Sequence, residues 1–207
     1  MNHNNNILII FIKNPIKGAV KTRLAKEIGE EPALAIYKKL IEHTIKITKP
    51  LGFDKVVCYS QFIDRMDEWS NKKYKKIKQT GDDLGDRMKN AFLDYFKQNY
   101  NKAVIIGADC YQLTTEIIES AFHKLDESDM VFGPANDGGY YLLGIKSMHY
   151  PLFYNKYWGT DTVLKESIDD ANEAGLSFQL LEQLTDIDIV KDLDESPALK
   201  DSISTKI

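Results

Sequence analysis

At 207 residues, 43% of them hydrophobic and 28% charged, the chain is long enough for one domain with a sizeable core. Its 27 basic against 31 acidic side chains give a net charge of -4, which excludes the broad positive field that duplex nucleic acid needs; any anion must be held by a local cluster. Cys58 and Cys110 lie far apart without disulfide-framework or zinc spacing, which points to a reducing, cytoplasmic setting, and no apolar run is long enough to span a bilayer.

In chain order, residues 1–6, MNHNNN, lack the basic region and cleavage site of a signal peptide and read as a disordered terminus. ILIIFI (7–12) is a continuous apolar run rich in β-branched isoleucine, the mark of a strand buried on both faces. A basic loop follows, and then EEPALAIYKKLIEHTIKIT, where Ala33, Ile36, Leu40, Ile41, Thr44 and Ile47 keep helical spacing and Pro32 suits a first turn. DKVVCYS (54–60) predicts a second strand, and WSNKKYKKIKQT a weaker one ending near Gln79 within solvated basic surface. LGDRMKNAFLDYFKQNY (84–100) carries a helical stripe, and KAVIIGAD (102–109) is a strand ending in an acid. TTEIIESAFHKL, entered at Thr114, predicts a helix, followed by strands at DMVFGPA and GYYLLGI, a helix at TDTVLKESIDDANEAG and a late strand at SFQLLE. Alternation of this kind defines an α/β fold with a mainly parallel central sheet and helices on both faces. One domain is expected over 7–195, with 196–207 a polar surface tail, helix or coil.

In an open parallel sheet, ligands gather beyond the carboxyl ends of the strands. After the first strand come Lys13, Lys17, Gly18, Lys21, Thr22, Arg23 and Lys26. A glycine, helix-start amides and cations suit a diphosphate or triphosphate, although neither GxGxxG nor GxxxxGK[ST] is present. Lys17 and Lys26 read as solvated, leaving Lys13, Lys21 and Arg23 as phosphate contacts. Asp109, at the end of VIIGAD, suits a hard cation that shares its coordination with phosphates, though aspartate at that point also serves turns. In GPANDGGYYLLG, Asp137 precedes Gly138 and Gly139. The pattern fits a hairpin turn, or a place where backbone approaches a substrate while Asp137 acts as metal ligand or general base. In GDDLGDRM, Gly81, Leu84 and Gly85 could offer a surface to a base with Arg87 near phosphate, and the neighbouring aspartates could cap a helix. TDIDIVKDL places Asp186 and Asp188 late in the chain, as a helix entry or as a second acid near a metal. The histidines form no spaced set.

Taken in order from residue 13 to residue 193, KNPIKGAVKTRLA, GDDLGDRM, IGADCYQLT, GPANDGGYYLLGI, WGTDTV and LTDIDIVKDL resemble the rSAM/selenodomain-associated transferase 1 family, also labelled arsenosugar biosynthesis glycosyltransferase. The resemblance implies a single-domain GT-A type nucleotide-diphospho-sugar transferase fold, related to molybdenum-cofactor guanylyltransferase and 2-phospholactate guanylyltransferase. It implies that Lys13, Lys21 and Arg23 clamp the nucleotide phosphates, that Asp109 and Asp188 hold a divalent metal, Mg²⁺ or Mn²⁺, and that Asp137, Gly138 and Gly139 form the acceptor side. Two departures stand out. Tyr111 replaces the usual proline of DCP and is expected to loosen the turn after Asp109, and Ile189 replaces a threonine beside Asp188.

The function expected is a metal-dependent transferase that moves a sugar from a nucleotide-activated donor to a small-molecule acceptor. One alternative is nucleotidyl transfer from an NTP to a phosphorylated acceptor with release of pyrophosphate. Another is a non-catalytic nucleotide-binding module.

Overall fold

The structure, a computed structural model, describes residues 5–204; residues 1–4 of the expected disordered terminus and 205–207 of the expected tail lie outside the described residues. Strand β1 (Asn6–Ile12) is apolar in both of its alternating sets, so it buries both faces. Leu8, Ile10 and Ile12 enter one core layer, and Ile7 and Ile9 the other. Each such side chain contributes about 1.5–3 kcal/mol of burial free energy, which is why an uninterrupted apolar run ends up at the centre of a sheet. Around it lie β2 (Asp54–Tyr59), β3 (Lys75–Lys78), β4 (Lys102–Ile106), β5 (Met130–Pro134), β6 (Tyr140–Ile145) and β7 (Phe178–Leu180). Their order is β3-β2-β1-β4-β6-β5-β7. β6 alone opposes its neighbours, pairing antiparallel with β4 and β5, while every other pairing is parallel.

Helices α1 (Thr22–Ile28), α2 (Glu30–Thr48), α4 (Thr115–Glu127) and α6 (Pro197–Ser204) cover one face, and α3 (Leu84–Phe96) and α5 (Val163–Glu173) the other. The expected stripe of α2 is the one it buries, Ala33, Ile36, Leu40, Ile41, Thr44 and Ile47, together with Tyr37. Thr114 caps α4 by accepting the Ile117 N–H, and Asp83 caps α3 by accepting the Asp86 N–H.

Four expectations change. The basic loop does not run straight into α2: Thr22–Ile28 forms its own short helix, and Gly29 at φ 92° breaks it from the next. The helix expected to reach residue 100 stops at Phe96, where Asn99 turns left-handed at φ 65° and Asn101 joins the Asn5 carbonyl. Trp69 and Tyr74, in the segment read as solvated, are buried and meet edge to face; their apolar area outweighs the lysines around them. The tail, expected as a surface helix or coil, is helical as α6 but is not wholly at the surface, since it buries Leu199, while β1 already begins at Asn6. Among the described residues, no helix is long and apolar enough to cross a membrane.

Candidate active site

β1 pairs with β2 on one side and β4 on the other, so the loops leaving these strands diverge and open a crevice. There, at the carboxyl ends of the parallel strands, lies a cavity of about 560 Å³. Its floor is fixed by hydrogen bonds between loops. The Lys13 N–H donates to the Tyr37 hydroxyl of α2 (2.8 Å), which donates back to the Lys13 carbonyl (3.0 Å). Asn14 ties the same loop to the one after β2, donating from Nδ2 to the Phe62 carbonyl and accepting the Gln61 N–H.

Lys13, Lys21, Thr22 and Arg23 line the cavity from the β1 side. Lys21 sits at the α1 N-terminus in a left-handed conformation, φ 46°, and its side chain is only 5% exposed. Its ammonium bridges two carboxylates, 3.2 Å from Asp109 Oδ2 and 2.9 Å from Asp188 Oδ1. Burial works against the charge, but Asp109 and Asp188 outweigh it and raise the Lys21 pKa. Burial likewise opposes the Asp188 carboxylate, yet Lys21 and then Arg23, whose Nη1 lies 3.9 Å away, hold its pKa below the usual carboxylate value. Lys17 instead pairs with Glu31 at the surface.

Asp188 does not cap the turn that follows it. Asp192 does, accepting the N–H groups of Asp188 and Ile189 (2.7 and 2.8 Å) and leaving the Asp188 side chain to the cavity. The turn after Asp109 is not loose either: Cys110 and Asp186 form a β-bridge, the Ile187 N–H donates to the Asp109 carbonyl (3.0 Å), and the Tyr111 ring packs on His43 at 4.5 Å. Backbone pairing to the 184–188 segment supplies the order that a proline would have supplied.

Asp137 stands on the opposite rim with one oxygen accepting the Gly139 N–H (2.9 Å), so the hairpin and the site use the same residue. Gly138 has φ 86°, and a Cβ there would lie 2.1 Å from the Asp161 carbonyl oxygen; this lets the 157–162 loop dock on the hairpin, where the Leu164 N–H reaches the Gly138 carbonyl. Gly85 is needed for room, since a Cβ would sit 2.5 Å from the Trp158 indole.

Of the residues expected at the site, Lys13, Lys21, Thr22, Arg23, Leu84, Arg87, Asp109, Asp137, Gly139 and Asp188 line the cavity. Gly18, Gly81, Gly85 and Gly138 are not on its wall: they shape the segments behind it, Gly18 beside Glu30 and Gly81 against the start of α3. Sequence reasoning missed Trp158, Gln79 and Tyr37, and left Asp186 as a minor choice. The WGTDTV block was the available signal for Trp158. Asp186 reaches the cavity with a buried Oδ1 that has no hydrogen-bond partner; burial, and then the charge of Asp109, push its pKa well above the usual range.

The donor set suits a hard cation. Asp109 and Asp188 converge on one point, now spanned by an ammonium, and offer only oxygen. Among the described residues, no group of three or more histidine, cysteine, aspartate or glutamate side chains is placed to hold a metal ion, so any cation here would take the rest of its shell from outside the protein.

Fold and crevice together define the class: the chain has the fold of the nucleotide-diphospho-sugar transferases. A solved structure from Desulfovibrio desulfuricans G20, provisionally named a nucleotide-diphospho-sugar transferase, superposes with a TM-score of 0.84 at 26% identity, covering 97% of this chain and 98% of that one. The inositol-1-phosphate CTP transferase from T. maritima (TM-score 0.57, 15% identity, 97% of each chain) and a 4-diphosphocytidyl-2C-methyl-D-erythritol synthase (0.56, 14%, 94% and 97%) share the fold. Comparison with curated proteins found no match. The chain belongs to the DUF2064 family, described as an uncharacterized protein conserved in bacteria, whose model matches residues 44–160.

Proposed function

We propose that the protein is a metal-dependent transferase that uses a nucleotide-activated sugar donor. The observation that carries this is the single cavity in which cations of the β1 loop meet the carboxylates of Asp109 and Asp188 across the Lys21 bridge. A nucleoside diphosphate with a divalent cation has the matching charge pattern. Asp109 and Asp188 would hold the metal once the Lys21 ammonium has swung from between them toward the phosphates, and the metal would neutralise charge on the diphosphate.

Lys13, Lys21 and Arg23 orient the phosphates, and Lys21 and Arg23 face the charge that grows on the leaving group. The acceptor hydroxyl oxygen attacks the anomeric carbon of the donor. The bond from that carbon to the diphosphate oxygen breaks, its electron pair leaves on the nucleoside diphosphate, and the hydroxyl proton passes to Asp137. One Asp137 oxygen stays on the Gly139 N–H while the other serves the acceptor.

A second reading is favoured by the number of cations, since Arg87 joins Lys13, Lys21 and Arg23 on the wall. Four such groups suit an NTP whose nucleotidyl group moves to a phosphorylated acceptor. The test is product analysis with UDP-, GDP-, ADP- and dTDP-sugars and with free NTPs, in Mg²⁺ or Mn²⁺. Metal-dependent release of a nucleoside diphosphate from a sugar nucleotide is the expected result. Pyrophosphate from an NTP would replace it with the second reading, and nucleotide binding without any turnover would leave a binding module.

A further inference from the structure

The cavity wall also contains Phe11 of β1, Gln79 just after β3, and Leu84 and Met88 of α3. Gln79 follows β3, and its backbone N–H continues the ladder to the Tyr59 carbonyl (2.9 Å). Its side chain turns back across the end of the sheet, where Nε2 donates to the Cys58 carbonyl (2.8 Å) and the Ile12 carbonyl (3.2 Å). Both amide protons are therefore committed. Flipping the carboxamide would forfeit two hydrogen bonds and set Oε1 against two carbonyl oxygens, so the group has one orientation. Among the described residues no donor reaches Oε1. Gln79 thus brings to the cavity wall an acceptor whose direction is set by the backbone of two other strands. Leu84, on the same cavity wall and 44% exposed, offers apolar surface at a place where a solvated helix start has no use for it.

We propose that Gln79 is a specificity-determining residue of the base subsite, with Oε1 accepting a ring N–H or exocyclic amino proton from the nucleobase edge while Phe11, Leu84 and Met88 pack on its apolar surface. The proposal rests on the nucleotide reading of the cavity and deepens it. A fixed acceptor rejects a base edge that has lost its proton, because the pocket then holds an unpaired polar group against an alkyl group.

Calorimetry with UDP, GDP, CDP and ADP in Mg²⁺ identifies the best-bound diphosphate. Its base-methylated form (3-methyl-UDP, 1,N2,N2-trimethyl-GDP, N4,N4-dimethyl-CDP or N6,N6-dimethyl-ADP) should bind the unaltered protein about tenfold more weakly. Gln79→Met should lose about the same factor for the parent nucleotide, bind parent and methylated forms equally, and leave the affinity for pyrophosphate unchanged. The methylation arm needs no variant, so it stands even if Gln79→Met folds poorly. Equal binding of the two forms by the unaltered protein, or equal loss of nucleotide and pyrophosphate in the variant, would overturn the role of Gln79 alone. Failure of all four diphosphates to bind would overturn the nucleotide reading with it.

Discussion

Lys21 shows how much one residue can carry. A left-handed backbone is uncommon for a side chain with a Cβ, and here it places a buried ammonium between Asp109 and Asp188. Lys21→Met should lower turnover by about 10² or more. It should also leave the two carboxylates facing each other without their counter-charge, at a cost of about 1–2 kcal/mol because both remain partly solvated. Thermal denaturation of the nucleotide-free variant should then show a larger upward shift with Mg²⁺ than the unaltered protein. A smaller one would take the metal away from this pair. Asp137→Asn keeps an oxygen for the Gly139 N–H and removes only the base. A fall in kcat of about 10² with unchanged donor affinity is expected; equal loss of donor binding would assign Asp137 to the hairpin alone.

At the scale of elements, the site depends on loops held to each other by contacts distant in sequence. α2 pins the β1 loop through Tyr37 and meets the β4 loop through His43, whose Nε2 lies 2.8 Å from the Leu113 carbonyl. Burial, partly offset by that bond, holds the His43 pKa below 6.5. The unfolded chain therefore takes up a proton more readily than the folded one. The stability from this group is fully present above pH 6.5 and is lost as pH falls from there toward the lower folded value. His43→Gln should flatten the acid limb of the melting temperature against pH; an unchanged limb would assign it to other groups. The hairpin and the 157–162 loop form a second such unit. Gly138→Ala combines a positive φ with a clash against the Asp161 backbone and should cost about 1–3 kcal/mol, read by chemical denaturation.

Over the whole molecule, two core layers share one sheet, and α6 closes the layer that holds α2 and α4. Such sharing predicts a single cooperative transition. Leu199→Ala should remove about 2–4 kcal/mol, shifting urea curves followed by tryptophan fluorescence and by far-UV circular dichroism together. Separate transitions would show that the end of the chain folds apart from the rest.

The sequence by itself determined the strands and helices with strong periodicity, the α/β class, and the acids and cations at strand ends. These follow from local rules, because burial on both faces or along one stripe is written into neighbouring residues. The uninterrupted apolar run Ile7–Ile12 and the stripe of α2 are cases of this kind. What tertiary structure decided was convergence: that Asp109 and Asp188, 79 positions apart, meet on Lys21; that Trp158 fills the space left by Gly85; and that Gln79 is locked by carbonyls of two other strands. No local pattern encodes a contact whose partners are brought together only by strand order and by loops packing on one another.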